Sequence, residues 1–141
     1  MHCFKNDVMS IIFKYIKRYP LSLLTLGTIV YLSLFKPSDD VSLSLFAHMD
    51  KLAHFVMYAG LSTIIWFEFF RSHSGIKSIK AFIAMFLIPS LFSGLMEYLQ
   101  SRLTTYRAGD AMDLLFNVLG IIFANIVCVT LLSYLFGNKD D

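Results

Sequence analysis

Four long apolar runs separated by short polar stretches dominate this chain of 141 residues. A helix needs about 20 residues to cross a hydrocarbon core about 30 Å thick. The second, third and fourth runs reach that length, whereas the first, at roughly 15 residues, is short. The pattern predicts membrane-spanning helices over about residues 20–35, 52–70, 80–99 and 112–136.

The segment ahead of the first run, about residues 8–19, is amphipathic. Its apolar residues recur at helical spacing, and Lys14, Lys17 and Arg18 lie opposite them. This pattern is typical of a helix that lies in the membrane interface. Pro20 suits either the first turn of a new helix or a kink. We therefore predict an interfacial amphipathic helix or a helical extension of the first span.

Composition supports a membrane protein. Hydrophobic residues make up 57% of the chain and charged residues 16%, and the mean hydropathy is +0.65. A soluble domain of this size could not keep so much apolar surface from water. A soluble helical bundle would also need polar stripes, which residues 114–136 lack on every side. The predicted fold is all-α, an integral membrane four-helix bundle, with residues 1–141 forming a single membrane domain.

The distribution of basic residues predicts the orientation. Of the 12 Lys and Arg residues, eight precede the first run, lie between the second and third, or follow the fourth. The positive-inside rule then places both termini in the cytoplasm. The remaining loops, which carry more acidic than basic residues, face the opposite side.

Ionisable and amide residues are concentrated in three short stretches. Each stretch lies at the end of an apolar run that is predicted to face away from the cytoplasm. Charged groups at the ends of membrane helices are costly enough to need partners, so these stretches indicate a site. Their polar residues are Asp50, Lys51 and His54, then Glu97 and Gln100, then Arg107, Asp110, Asp113 and Asn117.

The first two stretches each have a functional and a structural interpretation. Asp50 and His54 share one helix face, which places a carboxylate beside an imidazole, as in a general base or a supported metal ligand. Alternatively, Asp50 caps the helix and Lys51 extends towards the interface. Glu97 either carries protons or pairs with a basic residue, and a structural ion pair between helices also explains it.

The third stretch contains the most chemistry. Asp110 can cap the fourth helix, with Asp113 as the acidic partner of a capping box. Capping does not explain Asn117, one turn further into the membrane, or Arg107, whose planar group suits a carboxylate or phosphate. Asp110 and Asp113 are also candidates to bind a divalent metal.

The order of these residues resembles the VanZ-like membrane proteins, a family named for an accessory teicoplanin-resistance protein. The shared pattern is Asp-Lys-x-x-His, then Glu-x-x-Gln, then Arg-x-x-Asp-x-x-Asp-x-x-x-Asn-x-x-Gly. The matching positions are Asp50, Lys51, His54, Glu97, Gln100, Arg107, Asp110, Asp113, Asn117 and Gly120. The resemblance implies a multi-pass protein of the bacterial cytoplasmic membrane, in some cases linked to glycopeptide tolerance. It does not imply a molecular activity.

Three classes of function remain open. An enzyme acting on a lipid-linked envelope intermediate would draw its catalytic residues from His54, Asp50, Glu97, Asp110 and Asp113. Its ligand would contact Lys51, Gln100, Arg107 and Asn117, with a divalent metal as a possible cofactor. A binding or transport module would use the same cavity for a lipid head group, a cell-wall precursor or a glycopeptide, and transport would require an oligomer. In the third class, the polar residues only hold the helices together. No nucleic-acid partner is expected.

Overall fold

A computed structural model describes residues 9–10, 13–35, 49–72, 79–103 and 110–136, and the structural statements that follow concern these residues. They form helices and no strand, which confirms the predicted all-α class. The four main helices are α1 (Pro20–Leu34), α2 (Met49–Ser72), α3 (Ile79–Leu103) and α4 (Ala111–Phe136). The extent of the domain over the whole chain stays a prediction.

Three of these helices are long and apolar enough to cross a membrane. The segments concerned are Met49–Arg71, Ile79–Leu103 and Ala111–Leu131. In contrast, α1 has 15 residues, which corresponds to a length of about 22 Å at the rise of an α-helix. Large apolar side chains are exposed on the outside of the bundle, where they can contact the acyl chains of lipid. Examples are Leu24, Leu91 and Phe123.

The amphipathic lead-in is helical where it is described. Residues 13–18 form helix, and Tyr19 interrupts it with φ −126° and ψ 52°. Helical hydrogen bonds nevertheless continue across the interruption, from the Tyr19 N–H to the Tyr15 carbonyl (2.9 Å) and from the Leu23 N–H to the Tyr19 carbonyl (3.1 Å). Pro20 occupies the first turn of α1, where its missing N–H costs least. The lead-in is therefore a helical extension of α1 with an irregular residue at the junction.

Helices α2 and α4 run parallel and pack closely. His54 lies opposite Asn117, and further along both helices Trp66 donates a 2.8 Å hydrogen bond to Asn125 Oδ1. Between these contacts, a Cβ atom at Gly120 would overlap the Phe55 carbonyl oxygen. Because no side chain fits there, Gly120 permits the close approach of the two backbones.

Helix α1 is held at both ends by side chains from the longer helices. The Glu68 carboxylate accepts hydrogen bonds from the Leu21 N–H (2.8 Å), the Ser22 N–H (3.0 Å) and the Ser22 hydroxyl. At the other end, the Gln100 amide donates to the Ser33 carbonyl (3.1 Å). The first N–H and last C=O groups of a helix lack partners within it. These two side chains supply some of those partners where water is scarce.

Candidate functional site

The three polar stretches meet at one end of the bundle, where α2 begins, α3 ends and α4 begins. We call the group they form there the polar cluster. It consists of Asp50, Lys51 and His54 from α2, Glu97 from α3, Asp110 immediately before α4, and Asp113 and Asn117 from α4. Helical spacing explains the convergence, because residues three or four apart lie on the same face.

Lys51 joins α2 to the start of α4. Its Nζ lies 3.1 Å from Asp110 Oδ2 and 3.6 Å from Asp113 Oδ1. The Asp110 side chain is 48% exposed, whereas that of Asp113 is 7% exposed. The ammonium group therefore bridges an exposed carboxylate and a buried one, at the boundary between the surface and the interior.

His54 is buried and directs both ring nitrogens towards α4. Its Nδ1 lies 3.0 Å from Asn117 Oδ1, and its Nε2 lies 3.6 Å from Asp113 Oδ2. With the hydrogen on Nδ1, the ring donates to the amide oxygen, and Nε2 presents a lone pair to the carboxylate. Two electron-rich atoms facing each other require a proton or another cation between them. The two atoms can therefore share a proton or bind a cation between them.

Asp110 caps α4. Its Oδ1 accepts a hydrogen bond from the Met112 N–H (2.9 Å), and its carbonyl accepts one from the Asp113 N–H (2.9 Å). The Met112 N–H, and after it the Lys51 side chain, hold the pKa of the Asp110 carboxyl below its ordinary value. The Asp110 N–H donates to Glu97 Oε1. In a capping box that bond would go to Asp113, so a side chain of α3 performs this part of the capping.

Asp113 is consequently available to the interior of the polar cluster. The residue is 5% exposed, and within the described part of the chain its Oδ1 accepts no hydrogen bond. Buried carboxylate oxygens are ordinarily hydrogen-bonded. The Lys51 ammonium lies 3.6 Å from this oxygen, so the oxygen is part of an ion pair but accepts no hydrogen bond from it.

The donor atoms nearest to Asp113 belong to α2. One oxygen of Asp50, one ring nitrogen of His54 and one oxygen of Asp113 all lie within 4.8 Å of one another. These are atoms that bind divalent cations. From the sequence, Asp110 and Asp113 were the candidates to bind a metal. In the structure, Asp113 instead lies with Asp50 and His54. Asp110 caps the helix and contacts Lys51.

The remaining predicted residues have different positions. The hydrogen bond from the Gln100 side-chain amide to the Ser33 carbonyl connects α3 to α1. The role of Gln100 as a ligand contact stays a prediction. Arg107 lies outside the described residues. Gly120 belongs to the α2–α4 contact below the polar cluster.

The role of Glu68 was not predicted from the sequence. This residue is fully buried and accepts three hydrogen bonds from the start of α1. An acidic residue inside a predicted span was a usable signal, since such residues are expected to have partners. The partners, Leu21 and Ser22, were not predictable because they lie 47 and 46 positions away in the sequence.

The fold and the polar cluster define a class: a helical membrane protein with buried ionisable residues gathered at one end of its bundle. A family model described as VanZ/LLP1 matches residues 4–133, which is most of the chain. The chain therefore belongs to the VanZ/LLP1 family, and the resemblance drawn from the three polar stretches is confirmed. Comparison with curated proteins gives no match, and comparison with solved structures gives none either.

Proposed function

We propose that this protein uses the polar cluster to bind or act on an anionic, lipid-linked ligand of the bacterial cell envelope. The observation that carries the proposal is the buried contact of His54 with Asp113 and Asn117. Ionisable residues at membrane depth are costly and are usually retained for function. A cell-wall intermediate carried on a lipid is a ligand whose head group lies at the level of a helix end.

The proposed location is the bacterial cytoplasmic membrane, with both termini in the cytoplasm and the polar cluster facing the extracytoplasmic side. The excess of Lys and Arg in the segments assigned to the cytoplasm supports this orientation. The family also supports a link to glycopeptide tolerance, in which the protein would alter the response of the envelope to teicoplanin. Membrane lipid, a cell-wall intermediate or the glycopeptide itself are the proposed partners.

An anionic ligand needs positive charge, and the polar cluster is predominantly acidic. Asp50, Glu97, Asp110 and Asp113 supply carboxylates, whereas Lys51 supplies an ammonium group. Lys51 already contacts two of these carboxylates. The ligand would therefore be held by Lys51 together with a further positive group, either Arg107 or a bound cation.

The alternative is that the polar residues only hold the helices together. The contact of Lys51 with Asp110 favours it, because this ion pair joins α2 to the start of α4. A purely structural network, however, would be expected to satisfy its buried acceptors. The Oδ1 atom of Asp113, which accepts no hydrogen bond in the described part of the chain, favours the functional interpretation.

A phenotype measured together with folded protein separates the two interpretations. The substitutions Asp113→Asn and His54→Gln change charge or proton transfer at nearly constant size. We expect teicoplanin tolerance of a bacterial host to fall to the level of a strain without the gene. Folded protein, measured by size-exclusion chromatography of a fluorescent fusion, should remain near the wild-type amount. Glu68→Ala serves as the control for a folding defect.

Two results would count against this proposal. Full tolerance with both variants folded would remove the polar cluster from the function. Loss of folded protein in both variants, to the extent seen for Glu68→Ala, would support the structural alternative. If tolerance falls as expected, mass spectrometry of lipid purified with the wild-type protein would identify the ligand class.

A further inference from the structure

The most suggestive feature of the polar cluster is a set of three donors from two helices. Asp50 and His54 are four residues apart and lie on one face of α2, while Asp113 is on α4. One ligand atom from each lies within 4.8 Å of the other two. We infer that Asp50, His54 and Asp113 form a binding site for a divalent cation.

A second and independent observation is the state of the Asp113 side chain. This carboxylate is buried, and in the described residues its Oδ1 accepts no hydrogen bond. The Lys51 ammonium lies 3.6 Å from it, which is an ion pair beyond hydrogen-bond distance. A cation shared with Asp50 and His54 would interact with the carboxylate at shorter range.

The orientation of His54 also fits a metal ligand. Histidines that bind metals usually donate their other ring N–H to an oxygen acceptor, which fixes the ring and the tautomer. The Asn117 amide oxygen, 3.0 Å from Nδ1, is in the place of that acceptor. Nε2 is then directed at Asp113 Oδ2 across 3.6 Å, so Asn117 is the positioning residue of the site.

The donor set indicates the kind of ion. Carboxylates suit Mg²⁺, Ca²⁺ and Mn²⁺, whereas imidazole suits Zn²⁺ and other transition metals. One imidazole with two carboxylates is compatible with Zn²⁺ or Mn²⁺. Two ligands of one ion at about 2.1 Å lie no more than about 4.2 Å apart, so binding would draw the three donors together. Asp50 contributes to this site from the exposed side of α2, whereas His54 and Asp113 are buried.

Three protein ligands leave coordination positions for water or for a ligand. An anionic head group could bind there, which explains how an acidic polar cluster would recognise a negative ligand. The inference rests on the proposed function only for the identity of that ligand. Cation binding itself is measured without lipid, so its failure and the failure of the envelope phenotype are separate results.

Mn²⁺ is a suitable probe because the electron paramagnetic resonance signal of the aqueous ion is lost on binding. The full chain, purified in detergent and treated with a chelator, is titrated with Mn²⁺ alone. We expect saturable binding of a single ion per chain. Asp113→Asn and Asp50→Asn should each weaken the affinity by about tenfold or more. Asp50 is exposed, so its variant tests the site even if the Asp113 variant does not fold.

Two matched variants sharpen the test. Asp110→Asn makes the same chemical change three residues from Asp113, and it should alter the affinity much less because Asp110 is outside the donor set. Lys51→Gln removes a positive charge 3.6 Å from Asp113 Oδ1 and should tighten binding, since like charges repel. Absence of saturable binding by the wild type would overturn the inference. Equal weakening by the Asp110 and Asp113 variants would also overturn it.

Discussion

Two buried carboxylates in this protein have opposite surroundings. Glu68, towards the end of α2, is fully buried and accepts three hydrogen bonds from α1. Asp113, at the start of α4, is almost as buried, yet in the described residues its Oδ1 accepts none. A low-dielectric environment makes a satisfied polar group strong and an unsatisfied one costly. The fold therefore explains Glu68 by hydrogen bonds, whereas Asp113 Oδ1 faces the Lys51 ammonium at 3.6 Å, beyond hydrogen-bond distance.

The difference follows from what each carboxylate faces. Glu68 faces the start of a helix, where backbone N–H groups lack partners and the helix dipole favours negative charge. Asp113 faces two side chains of α2, the Lys51 ammonium and the His54 ring, and Lys51 also pairs with Asp110. The Glu68 arrangement stabilises the fold without a proton, cation or ligand from outside the chain. The second arrangement can respond to a proton, a cation or a ligand.

Removing Glu68 should have the largest effect on stability. Glu68→Ala leaves the Leu21 N–H, the Ser22 N–H and the Ser22 hydroxyl without their acceptor. Hydrogen bonds to charged groups contribute about 1.5–3 kcal/mol each, so we expect a loss of about 3 kcal/mol or more. Unfolding in mixed micelles with increasing SDS would measure it.

Glu68→Gln provides the matched control. The glutamine side chain keeps one oxygen acceptor, so its loss of stability should lie between those of the wild type and the alanine variant. If Glu68→Ala unfolds at the wild-type SDS fraction, the contrast between the two carboxylates is wrong.

Gly120→Ala should have an intermediate effect. The added Cβ would overlap the Phe55 carbonyl oxygen, so α2 and α4 must separate. Overpacking of this kind costs about 1–3 kcal/mol, and the separation should also weaken the contacts of His54 with α4. The same unfolding measurement applies. Gly94→Ala is the control, because nothing lies within 4 Å of a Cβ atom there; an equal loss at both positions would contradict the explanation.

The sequence predicted the helices well because long apolar runs leave few alternatives in a membrane. Helical periodicity also indicated that Asp113 and Asn117 share one arc of α4, with Asp110 immediately before that helix. The short first helix was recognised from its length alone, and the helix observed there has 15 residues.

Partner choice was harder to predict. Periodicity placed Asp50 beside His54, but it could not show that the ring nitrogens are directed at Asn117 and Asp113, which depends on how closely α2 approaches α4. The capping role of Glu97 likewise requires α3 to end beside Asp110. Such contacts are set by tertiary packing and leave no periodic signal in the chain. Arg107 stays a prediction.

Asp113→Asn should have the smallest effect on stability, although Asp113 is nearly as buried as Glu68. The substitution removes one carboxylate from the contacts of Lys51, but this partly exposed ammonium keeps Asp110 at 3.1 Å. Ion pairs that are not fully buried contribute about 0–1 kcal/mol, so the free energy of unfolding should stay within about 1 kcal/mol of the wild type. A loss as large as that of Glu68→Ala would mean that Asp113 holds the fold together. A raised stability together with lost Mn²⁺ binding would mean that stability is given up at this position in favour of function.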